Sequence, residues 1–575
     1  MSLQKLIQVA RGLLPADLVL KNCKIVDVYN QKLIYGDIAI VDGIIAGVGG
    51  DYEGESIIDA QGQYALPGLI EGHIHIESSY LTPEEFGHLV VPLGTTTIIA
   101  DPHEIVNVAG LKGLDYMLRA AEETVLDIKY MLPSCVPATP FEHAGAIVNA
   151  ADMEQPLKKS QIIGLGEFMN YPGVLTAEPE VLRKLEAAKR AGKLIDGHCP
   201  GLLGKDLMAY AAVGIHTEHE CSTIEEMTAR LALGMYVMLR NGSACHNLRN
   251  LLPGVTAKNL RRCLLCSDDL HAKTIFDKGH LNASLRLCVK EGMNPLEAIT
   301  MATLNAAECF RLYDRGALAP GLRADIALWP DLKEFRYPSS VYIEGKQVAQ
   351  AGHYSLPFKR AAIESVNNSV YLQNFTENKL CLHLKGNKVR TIKVLPGEVV
   401  TEKGLAVVNS NAEGDFVYNP QKNIVKVAVV ERHQHTGNVG VALLQGFGLK
   451  RGAIAVSVAH DSHNIIVAGV SNSDMFKAIE EIKNIQGGIA IVLDGHVLSS
   501  MPLPVGGIMS DQSGIWVEEQ LQHIHVVAHQ KLGIEPGIDP VMTLSFMSLP
   551  VIPKLKLTDM GLFDVEKFEF ITVEA

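Results

Sequence analysis

Eight short apolar runs alternate with longer helical patterns between residues 66 and 270, and this rhythm restricts the fold more than any other feature of the chain. The runs are "ALPGLIEGHIHI", "TTTIIADPHE", "IKYMLPSCVPAT", "IIGLGEFMN", "LIDGHCPG", "GIHTEHEC", "YVMLRNGSA" and "RCLLCSDD". Amphipathic stretches such as "PEVLRKLEAAKRAG", "KDLMAYAAVG" and "STIEEMTARLALG" lie between several of them, the last opening on a Ser/Thr cap with Glu residues in its first turn. Strand-length apolar runs separated by helices imply βα units and a parallel sheet. Closed by the helical patterns "LNASLRLCVKEG" and "PLEAITMATLNAAECF", the eight units fill the ~250 residues of a (β/α)8 barrel.

The flanks have a different texture. Residues 17 to 60 hold β-rich runs separated by Gly, Asp and Asn, and "RGALAPGLRADIALWPDL" and "SSVYIEGKQVAQAG" return to strand-like alternation after the barrel. The expected architecture is α/β. A (β/α)8 TIM-type barrel over 67–310 is inserted in a small β-sandwich domain built from 1–66 and 311–365, and a C-terminal α+β domain covers 366–575.

At 575 residues the chain exceeds what one core supports, so several domains are expected. Hydrophobic residues make up 47% and charged residues 20%, a globular rather than a disordered balance. The formal charge of −13 opposes general attraction to a polyanion, so no nucleic-acid partner is expected. No signal-peptide core and no run of ~20 apolar residues is present, which predicts a cytoplasmic protein without a membrane partner. The ten cysteines read as reduced thiols; Cys263 and Cys266 form a C-x-x-C, but inside a strand they face opposite sides and belong to the core.

The first run poses a chemical question, because "GHIHIESS" carries His73, His75 and Glu77 at every second position of a strand that should be buried. Alternate residues share a strand face, so these three are expected to converge while Ile74 and Ile76 pack the other way. For a lone H-x-H, a half-exposed strand with its polar residues outward is the better explanation. The other runs decide the matter: the fourth ends in Glu167, the fifth in His198, the sixth in His219 and the eighth in Asp268 and Asp269. A barrel collects its active site at the C-terminal ends of its strands. Imidazole and carboxylate groups gathered there suit Zn2+, Mn2+ or Fe2+, and six of them exceed what one four-coordinate ion takes, so a two-metal site bridged by Glu167 is expected.

The segments "PGLIEGHIHIESS", "GTTTIIADPHEIVNVAG", "GEFMN", "GHCPGLLGKDLMAY", "HECSTIEE", "LCSDD" and "ATLNAAECFRLYDRGALAPGLRADI" resemble the amidohydrolase superfamily, and within it the bacterial adenine deaminases. "SVAHDSHNIIVAGVSN" and "SMPLPVGGIMSD" extend the resemblance through the C-terminal region. It implies hydrolysis of the 6-amino group of free adenine to hypoxanthine and ammonia. It further implies that His73 and His75 hold a first metal, Glu167 bridges, His198 and His219 hold a second, and Asp268 is both ligand and proton carrier. On chemical grounds a metal-lowered water pKa and a neighbouring carboxylate give similar roles to the metal and to Asp268, with Asp269 as the competing carboxylate.

Several assignments stay open in the sequence. The acid that protonates ring N1 is Glu220, Glu104 or Glu77. "ADPHE" either presents His103 or Glu104 to the substrate or uses Asp101 as a helix cap. "AHDSHN", with His460, Asp461 and His463, reads as a turn stabilised by Asp and Asn, with closure over the pocket as the other reading. The metal is expected to be Mn2+ or Fe2+, with Zn2+ a third candidate, and the assembly a homodimer or larger. The rival function, a cyclic-amide hydrolase or another aminohydrolase, keeps the metal site but in many relatives bridges it with a carbamylated Lys; Glu167 in that place favours the deaminase branch.

Overall fold

The computed structural model describes residues 2–243 and 245–575. Eight parallel strands form the expected barrel: β1 Leu69–His75, β2 Thr95–Ala100, β3 Asp127–Leu132, β4 Ile162–Phe168, β5 Leu194–Gly197, β6 Thr217–Glu218, β7 Tyr236–Arg240 and β8 Cys263–Cys266. All eight coincide with the runs read from the sequence. β5 to β1 form one continuous ladder, extended beyond β1 by the pair Asp268–Asp269, and β6 to β8 form a second. The His216 N–H donates to the Ile195 carbonyl at 2.9 Å and so joins the two ladders between β5 and β6. At the other seam β1 approaches β8 closely, because a Cβ on Gly72 would lie 2.8 Å from Leu264 Cδ1 and 2.9 Å from the Leu265 carbonyl oxygen.

Ile70, Ile99, Met131, Met238, Leu264 and Cys266, drawn from five different strands, share one buried cluster with Ala306 and Phe310. This cluster fills and plugs the barrel, while Cys263 belongs to the separate cluster outside it, so the C-x-x-C pair does face two sides. The last helical pattern is split into Pro295–Met301 and Leu304–Cys309. The break has a physical cause: the Ala302 carbonyl accepts from the Ile70 N–H of β1 at 2.8 Å and serves the sheet as well as the helix end.

A nine-stranded sheet flanks the barrel, and chain from both sides of the barrel enters it. Tyr64–Pro67 pairs with Ile326–Trp329 in antiparallel register, Leu66 opposite Ala327, which ties the chain entering the barrel to the chain leaving it. Beyond residue 380 an eight-stranded sheet follows, and alternation sorts its two faces. Ala428, Val430, Ala453 and Ala455 meet the helix Asn472–Asn484 through Met475, Ile479 and Ile482. Val427, Val429, Ile454 and Val456 join the large apolar cluster that also contains the outer barrel residues. The C-terminal domain therefore docks on the barrel through a continuous core, reinforced by the Gly514 N–H donating to Glu85 Oε1 at 2.8 Å and His143 Nδ1 lying 2.6 Å from Asp559 Oδ2. All ten cysteines are free thiols, and no helix among the described residues is long and apolar enough to cross a membrane.

Candidate metal centre

His73 and His75 sit at the end of β1 with their Nδ1 atoms engaged outward: His73 Nδ1 lies 2.9 Å from Asp196 Oδ2, and His75 Nδ1 lies 2.9 Å from the Asp101 carbonyl oxygen. Both acceptors draw a proton to Nδ1 and leave Nε2 as the basic nitrogen. The two Nε2 atoms then face each other at 3.2 Å, an arrangement of lone pairs that a cation makes favourable.

Glu167, at the end of β4, reaches the same spot. Its Oε1 is 3.2 Å from His75 Nε2 and 3.2 Å from His103 Nδ1, while its Oε2 is 2.6 Å from His198 Nδ1 and 3.2 Å from His219 Nε2. Asp268 Oδ1 lies 3.2 Å from His75 Nε2 and 3.9 Å from His73 Nε2. His73, His75, Glu167, His198, His219 and Asp268, distant in sequence, thus meet at one barrel rim. The donor set fits divalent ions on a further count: among the described residues neither buried ring nitrogen of His219 makes a well-aligned hydrogen bond, and Nε2 meets the Glu167 carboxylate at 3.2 Å, an arrangement that a bound cation relieves.

The electrostatics hold the carboxylates ionised. Burial opposes the charge on Glu167, yet His198, His103 and His219 keep its carboxyl well below the usual range. For Asp268 burial is again outweighed, here chiefly by the Arg240 guanidinium together with His75 and His219. Glu220 is lowered in the same way by Arg240, His198 and His219.

Other residues singled out in the sequence fall differently. Glu77 leaves the cluster, because β1 stops at His75 and a 3-10 turn over Ile76–Ser79 breaks the alternation; its Oε1 accepts from the Ile105 N–H at 3.2 Å, and burial pushes its carboxyl up to about 7. Asp101 is not a helix cap: its Oδ2 accepts from the Glu167 N–H at 2.9 Å and braces β4. Asp269 accepts from Ser78 Oγ at 2.5 Å. His103 and Glu104 open the helix His103–Ala109, and both Glu104 oxygens are taken by His460 and His463.

Two supports went unread in the sequence although the strand-end pattern carries them: Asp196, two positions before His198, and Arg240, the last residue of β7. Arg240 grips Glu220, Nη2 donating to Oε2 at 3.0 Å, and its Nη1 donates to Asp268 Oδ2.

These groups open onto a cavity of about 360 Å3. The barrel contributes His75, Glu167, His198, Glu220, Asp268 and Asp269; the C-terminal domain contributes an opposing wall that includes Val399, His460, Asp461, Phe546, Leu549 and Ile552. Such a space, charged on the barrel side and mixed on the other, where His460 and Asp461 sit among apolar side chains, suits a flat polar heterocycle.

Residues 64–348 match the amidohydrolase family, and residues 398–569 match the adenine deaminase C-terminal domain. A protein named adenine deaminase 2 from Desulfotalea psychrophila is 57% identical over 574 residues, covering 100% of this chain and 99% of its own. An adenine deaminase from Ligilactobacillus salivarius is 52% identical over 570 residues, covering 99% and 98%. An adenine deaminase 2 from Carboxydothermus hydrogenoformans is 47% identical over 571 residues, covering 99% of each chain.

Proposed function

The chain belongs to the adenine deaminase family within the amidohydrolases, and from that membership we propose that it hydrolyses adenine to hypoxanthine and ammonia. The observation that carries the reading is full-length identity of 57% to a relative bearing that name, together with the complete His and carboxylate set at the barrel rim.

His73 and His75 would hold one divalent ion, His198 and His219 a second, with Glu167 between them and Asp268 at the edge. Bound there, Mn2+ or Fe2+, with Zn2+ as a third candidate, would lower the pKa of water toward 7 and supply the nucleophile at neutral pH. The chain's own groups do the rest. The cavity walls orient the purine with C6 toward the rim. Asp268, kept ionised by Arg240, accepts a proton from the attacking water and passes it to the departing amine. Glu220, ionised at rest, takes the second proton of the water and delivers it to the ring nitrogen N1, since Glu104 is committed to two histidines and Glu77 turns away from the rim. The two protons of the consumed water end on N1 and on ammonia, so the reaction balances.

A free base without nucleic acid is the substrate, in a cytoplasmic enzyme assembled as a dimer or larger. Protein purified with added Mn2+ should release ammonia from adenine and yield hypoxanthine, with adenosine, guanine, cytosine and dihydropyrimidines turned over at least a hundredfold more slowly. Preferential turnover of any of those would overturn the assignment.

A further inference from the structure

Resting on the adenine reading, we infer that Asp461 of the C-terminal domain accepts the N–H of the purine's five-membered ring and so selects the free base over its nucleoside. Free adenine carries one such N–H, at N9 or N7; in adenosine N9 bears ribose and the donor is gone.

The cavity's acids can be examined one by one among the described residues. Glu167 is shared by His75, His103, His198 and His219. Glu220 is held by Arg240, Asp268 by Arg240 and His75, Glu104 by His460 and His463, and Asp269 by Ser78. Glu398 lies exposed at the rim. Asp461 is different: it is 4% exposed, lines the cavity, and its Oδ2 is buried with no hydrogen-bond partner. A buried acceptor left without a donor is costly, and a ligand N–H relieves that cost. Burial, opposed by His103, pushes its carboxyl up to about 6, which leaves it an acceptor at neutral pH.

Position agrees with chemistry. Asp461 Oδ1 lies 3.8 Å from His103 Nε2, and the opposite nitrogen of that ring lies 3.2 Å from Glu167 Oε1. Asp461 is therefore one imidazole away from the strand-end cluster. A purine with C6 at the cluster extends its five-membered ring over a comparable span. Phe546, stacked on His460 with ring centroids 4.5 Å apart, supplies an apolar face beside it.

The neighbouring Glu104, His460 and His463 could be taken for a third metal site, since their ligand atoms lie close together. The hydrogen bonding assigns them otherwise. His463 Nδ1 accepts from the Ala459 N–H at 3.1 Å, so its proton resides on Nε2 and is donated to Glu104. The trio is a clasp that fixes the Asp461 loop against the barrel.

The test compares adenine with 9-methyladenine, which lacks the donor, in the Mn2+-loaded enzyme and its Asp461→Ala and Asp461→Asn variants. Wild type should favour adenine in kcat/KM by at least a hundredfold. Asp461→Ala should raise the adenine KM tenfold or more, lower kcat less than threefold, and reduce the preference below tenfold, because the lost carboxylate also leaves room for the methyl group. Asp461→Asn, which keeps shape and one oxygen acceptor, should fall between. Unchanged preference in folded, metal-replete variants, or a loss confined to kcat, would overturn the inference. Absence of ammonia release from adenine by wild type would instead overturn the function on which it rests, and product binding would then separate the two: hypoxanthine, which has the same N–H, should bind wild type at least tenfold more tightly than Asp461→Ala, and equal binding would reject Asp461.

Discussion

Arg240 at the end of β7 donates to Asp268 just beyond β8, and the same guanidinium holds Glu220 beyond β6. One cation thus spaces two carboxylates that would otherwise repel each other at the cavity wall. Replacing Arg240 by Gln should lower kcat by about 10²- to 10³-fold, the scale on which a fixed charge at a reacting centre acts. Arg240→Lys should recover little, because a single ammonium cannot reach both partners in the fork geometry. Near-wild-type kcat in either variant, with metal content unchanged, would remove Arg240 from the catalytic apparatus.

The two adjacent aspartates should separate cleanly. Asp268 faces His75 and the barrel rim, whereas Asp269 is held by Ser78. Asp268→Asn should retain most of the bound metal yet lose two or more orders of magnitude in kcat, as expected for lost proton transfer. Asp269→Asn should lose less than about tenfold, consistent with an indirect part. Equal losses in the two would show that proton transfer is not localised at Asp268.

The eight barrel strands were legible because each is a short apolar run ending in a polar residue, and burial of both faces leaves no other way to write a parallel strand. The rim histidines were legible for the same reason: polar residues at one end of such runs have to converge. Glu77 was misplaced because strand alternation was carried two residues past the point where the chain turns into the 3-10 segment Ile76–Ser79. Arg240 carries no metal-ligand signal, because a guanidinium is not a metal donor and its part depends on two carboxylates beyond other strands. His460 and Asp461 were read as turn residues because their meaning lies in contacts with Glu104 and His103 more than three hundred and fifty positions away. Domain docking of that kind leaves no local periodicity.

Gly72 offers a test of how packing positions the metal centre. A methyl group there would press on Leu264 and the Leu265 carbonyl, so Gly72→Ala should destabilise the barrel by about 1–3 kcal/mol through overpacking. The strain enters β1 one residue before His73, so metal content should fall with it. A folded variant with full metal content and an unchanged melting temperature would show that the seam between β1 and β8 has slack.

Removal of divalent ions should be visible in stability as well as activity. Without ions the Nε2 atoms of His73 and His75 face each other at 3.2 Å, and among the described residues the buried ring nitrogens of His219 lack a well-aligned hydrogen bond. Chelation should abolish deamination and lower the melting temperature by several degrees, since a ligand that binds only the folded state stabilises it by mass action. About two equivalents of Mn2+ per chain should restore both. Full recovery at one equivalent would reduce the centre to a single functional ion.

Lys556 gives the molecule a pH dependence remote from the rim. Its side chain is fully buried, without an acidic partner among the described residues, and its Nζ donates at 2.8 Å to the carbonyls of Val399 and Phe546, two residues of the cavity wall. Burial depresses its pKa from 10.5 to about 7. Between those values the unfolded chain binds more protons at this lysine than the folded one, so its contribution to stability rises with pH across that window and the penalty is complete below about 7. A tenfold change in proton affinity corresponds to about 1.4 kcal/mol, so the effect is on the order of a few kcal/mol. Melting temperatures of wild type and Lys556→Met should therefore converge in wild type's favour between pH 7 and pH 10, by several degrees. Parallel curves for the two proteins would mean that Lys556 titrates in the folded state as it does in water.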